Sequence, residues 1–223
     1  NHIKPMPTKP ILLATLTILI LSAFYIQPDF ITDQKKYQRV RTAFAEKGEK
    51  VSEKLNAFSI QTNNLNLLLV AYKAKRKQGD LQVPEGFYHI DRFNPASSYY
   101  LSLGINYPNN ADRIKGEGNN LGGDIFIHGE CVTIGCLPMT NDKIKEIYLY
   151  AIMAKNNGQS KIPVYVFPFK MTDQQMEVAT VKYSTRPKLM SFWKNLQMGY
   201  QQFHSNLKPL DFSINAKGDY QFN

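Results

Sequence analysis

Ile127-His128-Gly129-Glu130-Cys131-Val132-Thr133-Ile134-Gly135-Cys136 is the stretch on which the reading of this chain turns. It holds one imidazole, two glycines and both cysteines of the chain. A thiol that attacks a carbonyl needs a base to take its proton and donors to hold the oxyanion. His128 is the candidate base, Cys136 the candidate nucleophile, and the backbone N–H groups of Gly135 and Cys136 the candidate oxyanion donors. Gly135 leaves space beside the sulfur for a substrate backbone, and Thr133 is placed to orient the base or a donor. A free thiol titrates near about 8.5, so a neighbouring imidazole or helix N-terminus is needed to raise its thiolate fraction. The helix capped by Thr140 starts just after the sulfur, where its dipole helps. Two alternatives stay open. A Cys131–Cys136 disulfide in an oxidising compartment leaves His128 merely at a strand end. Cys131 is the other possible nucleophile, although on an extended strand it alternates with its neighbours instead of facing the base.

Outward from this stretch, Asp124 to His128 reads as a short apolar strand that delivers His128 to its end. Upstream, Leu65 to Ala74 is aliphatic enough for a buried strand. Phe87 to Ile90 begin a strand after the Pro84-Glu85-Gly86 turn, and Tyr99 to Leu103 form another. Asn106 to Gly123 is rich in Asn and Gly and is expected to be a long loop, of the kind that is functional or disordered. Downstream, Thr140 caps a helix through Lys155 with Ile144, Ile147, Tyr148, Ala151 and Ile152 on its core face. Pro163 to Phe169 alternates into a strand, Thr172 begins another helix, and Pro187 to His204 forms a longer one carrying Trp193. Phe212 to Phe222 reads as a hairpin turning at Ala216-Lys217-Gly218-Asp219. The expected fold is α+β: a strand-rich mixed sheet, barrel-like, with appended helices and a hydrophobic anchor helix at the N-terminus.

The 223 residues suffice for one core plus appendages, and 43% hydrophobic with 12% aromatic content is that of a globular chain. The net charge of +9 suits an anionic surround such as lipid headgroups or an acidic polymer. No zinc-finger spacing or RNA-binding aromatic signature accompanies it, so nucleic acid is set aside. No metal or cofactor is expected, since His128, Cys131 and Cys136 give three crowded ligands where a structural zinc site takes four. Lys4 and Lys9 precede Ile11 to Ile26, a run of 16 residues without charge. As a helix it spans about 24 Å at about 1.5 Å per residue, against a hydrocarbon core of roughly 30 Å. It is read as a signal peptide or uncleaved signal anchor, with a buried core helix as the alternative. The expected organisation is 1–28 signal or anchor, 29–62 a helical spacer, and 63–223 the catalytic domain with its C-terminal helices and hairpin. The spacer is expected to hold helices over 33–47 and 51–58.

The motifs Val83-Pro84-Glu85-Gly86-Phe87-Tyr88, Tyr107-Pro108-Asn109 with Asp112-Arg113, His128-Gly129, and Thr133-Ile134-Gly135-Cys136, in this order, resemble the L,D-transpeptidases with a YkuD-type catalytic domain. Their closest likeness is to the YafK-like branch. The resemblance implies a cysteine enzyme of the bacterial cell envelope, on its periplasmic side, that acts on peptidoglycan peptide stems. A thioester on Cys136 would form with His128 as base and be resolved by an amine or by water. The water route makes it a hydrolase of peptidoglycan or protein–peptidoglycan amide bonds; a non-catalytic wall-binding module is the reading from another class. The resemblance places Gly129, Thr133 and Gly135 in the oxyanion and pocket region, and Tyr107, Asn109, Asp112 and Arg113 in substrate binding. The chain departs from the common pattern with Ile134 two positions before the sulfur and Leu137-Pro138 after it. Leu65 to Lys75 also runs almost directly into Gln78-Gly79-Asp80, which raises the expectation of a sheet short of strands, with exposed edges.

Overall fold

A computed structural model describes residues 67–70, 75, 77–116 and 118–223. The expected anchor, the helical spacer and the flanks of the first strand lie outside the described residues. Among those described, no helix is long and apolar enough to cross a membrane. Six strands form one mixed sheet: β1 (Leu67–Val70), β2 (Gly86–Asn94), β3 (Ser102–Ile105), β4 (Phe126–His128), β5 (Leu137–Pro138) and β6 (Pro163–Phe167), in the order β1-β6-β2-β3-β4-β5. The β1–β6 and β4–β5 pairs are parallel and the other neighbours antiparallel. Among the described residues four helices accompany them, α1 (Asn110–Lys115), α2 (Asn141–Asn156), α3 (Asp173–Lys182) and α4 (Pro187–Asn206), followed by a hairpin of β7 (Phe212–Ile214) and β8 (Tyr220–Phe222).

Alternation along the strands builds two cores on opposite faces of the sheet. Ile90, Leu103, Ile105, Ile127, Leu137, Val164 and Val166 turn one way and pack with Ile144, Tyr148 and Ile152 of α2. Phe87, Tyr165 and Phe167 turn the other way and meet Trp193, Leu196 and Phe203 of α4 and Tyr220 of the hairpin. That second layer is centred on β2 and β6. Over β3, β4 and β5 the same face carries Ser102, Gly104, Phe126 and His128, in register across the strands, and none of these belongs to either core cluster.

Local signals explain most of the elements. Thr140 and Thr172 cap α2 and α3, their hydroxyls accepting from Lys143 N and Gln175 N at 3.3 and 3.4 Å. Pro187 opens α4, where its missing N–H costs nothing. Three expectations are corrected. Among the described residues the first strand pairs only with β6, at the end of the sheet order, and Leu68 on it is 38% exposed. The third strand starts at Ser102 instead of Tyr99, because Tyr100 adopts a left-handed φ of 73° that breaks extended pairing. The segment 106–123 is no open loop: it folds around α1.

Asn109 explains that correction. It caps α1 in a capping box, its Oδ1 accepting from Asp112 N at 3.0 Å while Asp112 Oδ2 accepts from Asn109 N at 2.9 Å. Its Nδ2 donates to Phe87 O at 3.1 Å and to the Tyr220 hydroxyl at 3.0 Å. Tyr88 in turn donates its hydroxyl to Asp112 Oδ1 at 3.1 Å. Burial, together with the Asp112 charge, pushes both Tyr88 and Tyr220 well above the usual phenol range, so the network stays protonated at neutral pH. Asn109→Ala removes the cap and strands buried partners on β2 and β8. It should lower unfolding stability by about 1–3 kcal/mol, read from urea denaturation.

Candidate active site

Ile127 and Leu137 are register partners and both point into the α2 core. Alternation then turns His128 to the opposite face of β4, outside both apolar cores, and turns Cys136, one residue before β5, the same way beside Phe126. His128 and Cys136 are diagonal neighbours on adjacent strands, and both line a cavity of about 420 Å³. Asn94, Ser97, Ser98, Tyr99, Ser102 and Asp124 supply polar lining, and Phe126, Val132 and Ile134 the apolar part.

The connection from β4 to β5 is only the eight residues 129–136, whereas parallel neighbours ordinarily need a crossover of about a dozen or more. The turn is made by left-handed conformations at Glu130 (φ 63°) and Gly135 (φ 135°). Glycine is required at the second, where a Cβ would also sit 3.1 Å from Gln82 O. At Gly129 the backbone is ordinary but the space is not. A Cβ there would stand 2.6 Å from Asn141 Oδ1 and 2.8 Å from Tyr99 O. Asn141, the first residue of α2, uses that Oδ1 to accept from Glu130 N at 2.8 Å.

His128 is 3% exposed, and its Nδ1 lies 2.6 Å from Gly129 O. A carbonyl only accepts, so Nδ1 carries the proton and Nε2 is left as the basic nitrogen. The Tyr99 ring packs against the imidazole with centroids 4.9 Å apart. Cys136 donates its thiol to Asp124 O at 3.6 Å. Burial pushes that thiol above the ordinary cysteine value and the Asp124 charge adds to it, while the Phe126 backbone amide and Lys75 act the other way. The resting sulfur is therefore a neutral thiol. Both cysteines are free, Cys131 exposed and Cys136 half-buried, so the disulfide alternative is not formed.

Thr133 lines the cavity, but its hydroxyl is engaged in the turn, donating to Cys136 O at 3.0 Å and accepting from Gly135 N at 3.1 Å. The Gly135 N–H, expected as an oxyanion donor, is thus already used within the loop. Tyr107, Asn109, Asp112 and Arg113 are not among the cavity-lining residues. Tyr107 is buried and donates to Leu121 O at 3.2 Å. Asn109 and Asp112 hold the capping network, and Arg113 is exposed, 3.5 Å from Asn110 Oδ1. What the sequence reading missed is the wall made by Asn94, Tyr99, Ser102, Asp124 and Phe126. Polar Ser102 and small Gly104 alternate with Leu103 and Ile105, and that pattern was the available signal for a strand face outside the apolar core. No cluster of metal-ligating side chains occurs among the described residues.

A thiol and an imidazole thus share one sheet face outside both apolar cores and line one cavity. Residues 33–166 match the model of the YkuD family, described as the L,D-transpeptidase catalytic domain, and the chain belongs to that family. It is 41% identical over 143 residues to "Putative L,D-transpeptidase YafK" of Escherichia coli K12, and equally to the protein of that name in Escherichia coli O157:H7. These alignments cover 63% of this chain and 54% of each relative, so the chain spans about half the length of the curated relatives it matches. Among solved structures, the helical cell shape determining protein Pgp2 of Campylobacter jejuni is 20% identical with a TM-score of 0.34. That match covers 67% of this chain and 62% of Pgp2.

The raised thiol fixes the sign of a pH effect. Thiolate at Cys136 accumulates only as pH rises through a value above that of an unfolded cysteine, about 8.5. Alkylation of Cys136 by iodoacetamide, followed by peptide mass, should therefore climb through an alkaline midpoint. A rate already on its plateau below neutral pH would instead reveal a preformed thiolate–imidazolium pair.

Proposed function

We propose that residues 63–223 form the catalytic unit of a cysteine-dependent L,D-transpeptidase that acts on peptidoglycan peptide stems. The observation that carries this reading is the placement of His128 and Cys136 on one sheet face outside the apolar cores, lining one cavity. In the first step Nε2 of His128 takes the thiol proton as Sγ attacks the stem carbonyl and the S–C bond forms. The tetrahedral intermediate collapses by breaking the C–N bond, and the proton passes from His128 to the departing D-alanine amine. A thioester remains on Cys136. An incoming amine then attacks the thioester carbonyl, gives its proton to His128 and restores the thiol. Water in place of the amine gives hydrolysis on the same residues.

In this reading Gly129 and Gly135 keep the backbone close behind the two reacting groups, and Thr133 locks the turn that presents the sulfur. The substrate places the protein in the bacterial cell envelope, on the periplasmic side, with the apolar run over 11–26 as signal or anchor.

Incubation with a tetrapeptide stem should add the acyl mass to the peptide containing Cys136. Cys136→Ala, with Cys131 retained, should abolish that adduct; an adduct persisting on Cys131 would overturn the assignment of the nucleophile. His128→Asn should slow acylation by about 10²–10⁴-fold. Product masses with and without an added amine separate transfer from hydrolysis.

A further inference from the structure

A second and larger cleft lies apart from the cavity of His128 and Cys136. It has a volume of about 1240 Å³ and is bounded by the end of α1, the junction of α3 with α4, the β7–β8 turn and the segment 77–82. Lys77, Lys115, Arg186, Lys188 and Lys217 line it, against the single carboxylate of Asp80 among the described residues. That carboxylate accepts from Lys75 Nζ and from Lys77 N, each at 3.0 Å. Nearby Asp219 is bonded to Lys115 Nζ at 2.7 Å, which holds its carboxyl below the usual range. Asp80 and Asp219 are thus each bound to a lysine of the protein itself, and among the described lining residues five cations stand against one carboxylate.

Its floor is aromatic. Phe192 and Trp193 are 6% and 4% exposed, and Tyr183 meets Trp193 edge-on with centroids 5.0 Å apart. Trp193 is fixed from behind, its Nε1 donating to Glu85 Oε2 at 2.8 Å. Phe192 and Trp193 close the base of the cleft as packed rings, Lys115 Nζ standing 5.6 Å from the Phe192 centroid, and the cations around them suit a ligand that carries carboxylates. The volume exceeds the roughly 300–1,000 Å³ of an ordinary small-molecule pocket, as a polymer segment requires. Gln82 links the two sites: it lines this cleft, and its carbonyl lies against Gly135, one residue from Cys136. Most of the lining comes from beyond residue 166, where the family match ends.

We propose that this cleft is a second binding site, taking a carboxylate-bearing segment of a peptidoglycan strand and holding it while one of its stems reaches Cys136. The choice of polymer rests on the function proposed above; the positive, aromatic character of the cleft does not.

Trp193 is the only tryptophan of the chain and reports on the cleft directly. Titration of the full chain with a disaccharide-tetrapeptide should shift its emission saturably. Charge reversal by Arg186→Glu, Lys188→Glu and Lys217→Glu together should weaken co-sedimentation with purified sacculi by about tenfold or more at low salt. It should leave acylation of Cys136 by a short free stem unchanged. Unaltered sacculus binding by the triple variant, or wild-type binding to phosphatidylglycerol vesicles but not to sacculi, would overturn the proposal. Loss of sacculus binding in the variant, in a protein whose wild type forms no thioester, would uphold the cleft while overturning the catalytic reading.

Discussion

The parallel pairing of β4 with the two residues of β5 is the constraint on which the site depends. Ile127 and Leu137 lie side by side in the α2 core, and their burial sets the register. A slip of one residue would turn His128 or Cys136 into that core and expose a leucine or isoleucine instead. Each buried aliphatic side chain is worth about 1.5–3 kcal/mol, so hydrophobic burial holds the placement of His128 and Cys136 although neither of those side chains provides it. The coverage of the sheet completes the arrangement. The aromatic layer of α4 and the hairpin is centred on β2 and β6, and the face it does not build upon is where the cavity forms.

The polar part of the site is organised by short-range hydrogen bonds. The carbonyl next to His128 orients the imidazole, which needs no separate carboxylate for that. Thr133 spends both sides of its hydroxyl within the turn. Burial keeps Cys136 a thiol at rest, which protects it from indiscriminate oxidation. In the proposed reaction the proton would move from Cys136 to His128 only within the substrate complex, once a carbonyl has entered.

Much of this was readable from residues alone, and for physical reasons. Thr140 and Thr172 are capping side chains followed by helical periodicity, and both begin helices where that pattern places them. The strand ending at His128 and the hairpin around Ala216 to Asp219 carried equally local signals. α1 was not readable, since six residues give no periodicity and Asn109 reads as a turn residue as readily as a cap. Nor was β5, two residues long with a proline, whose pairing depends on Ile127 ten positions earlier. The same non-local dependence hid the role of Asn109 and Asp112. Their partners are Phe87, Tyr88 and Tyr220, and no pattern within the 106–123 segment announces a bond to the far end of the chain.

A link of eight residues between neighbouring parallel strands leaves little rope. β5 is a sheet edge held by few ladder bonds, and such an edge frays more readily than the interior. When it does, the sulfur stays leashed to a turn whose other end is anchored in the buried β4. The loop that must close again is short, so its closure entropy is small. Repair of the edge and reassembly of the reactive pair are then a single event, and a frayed molecule regains its working geometry without any search across the fold.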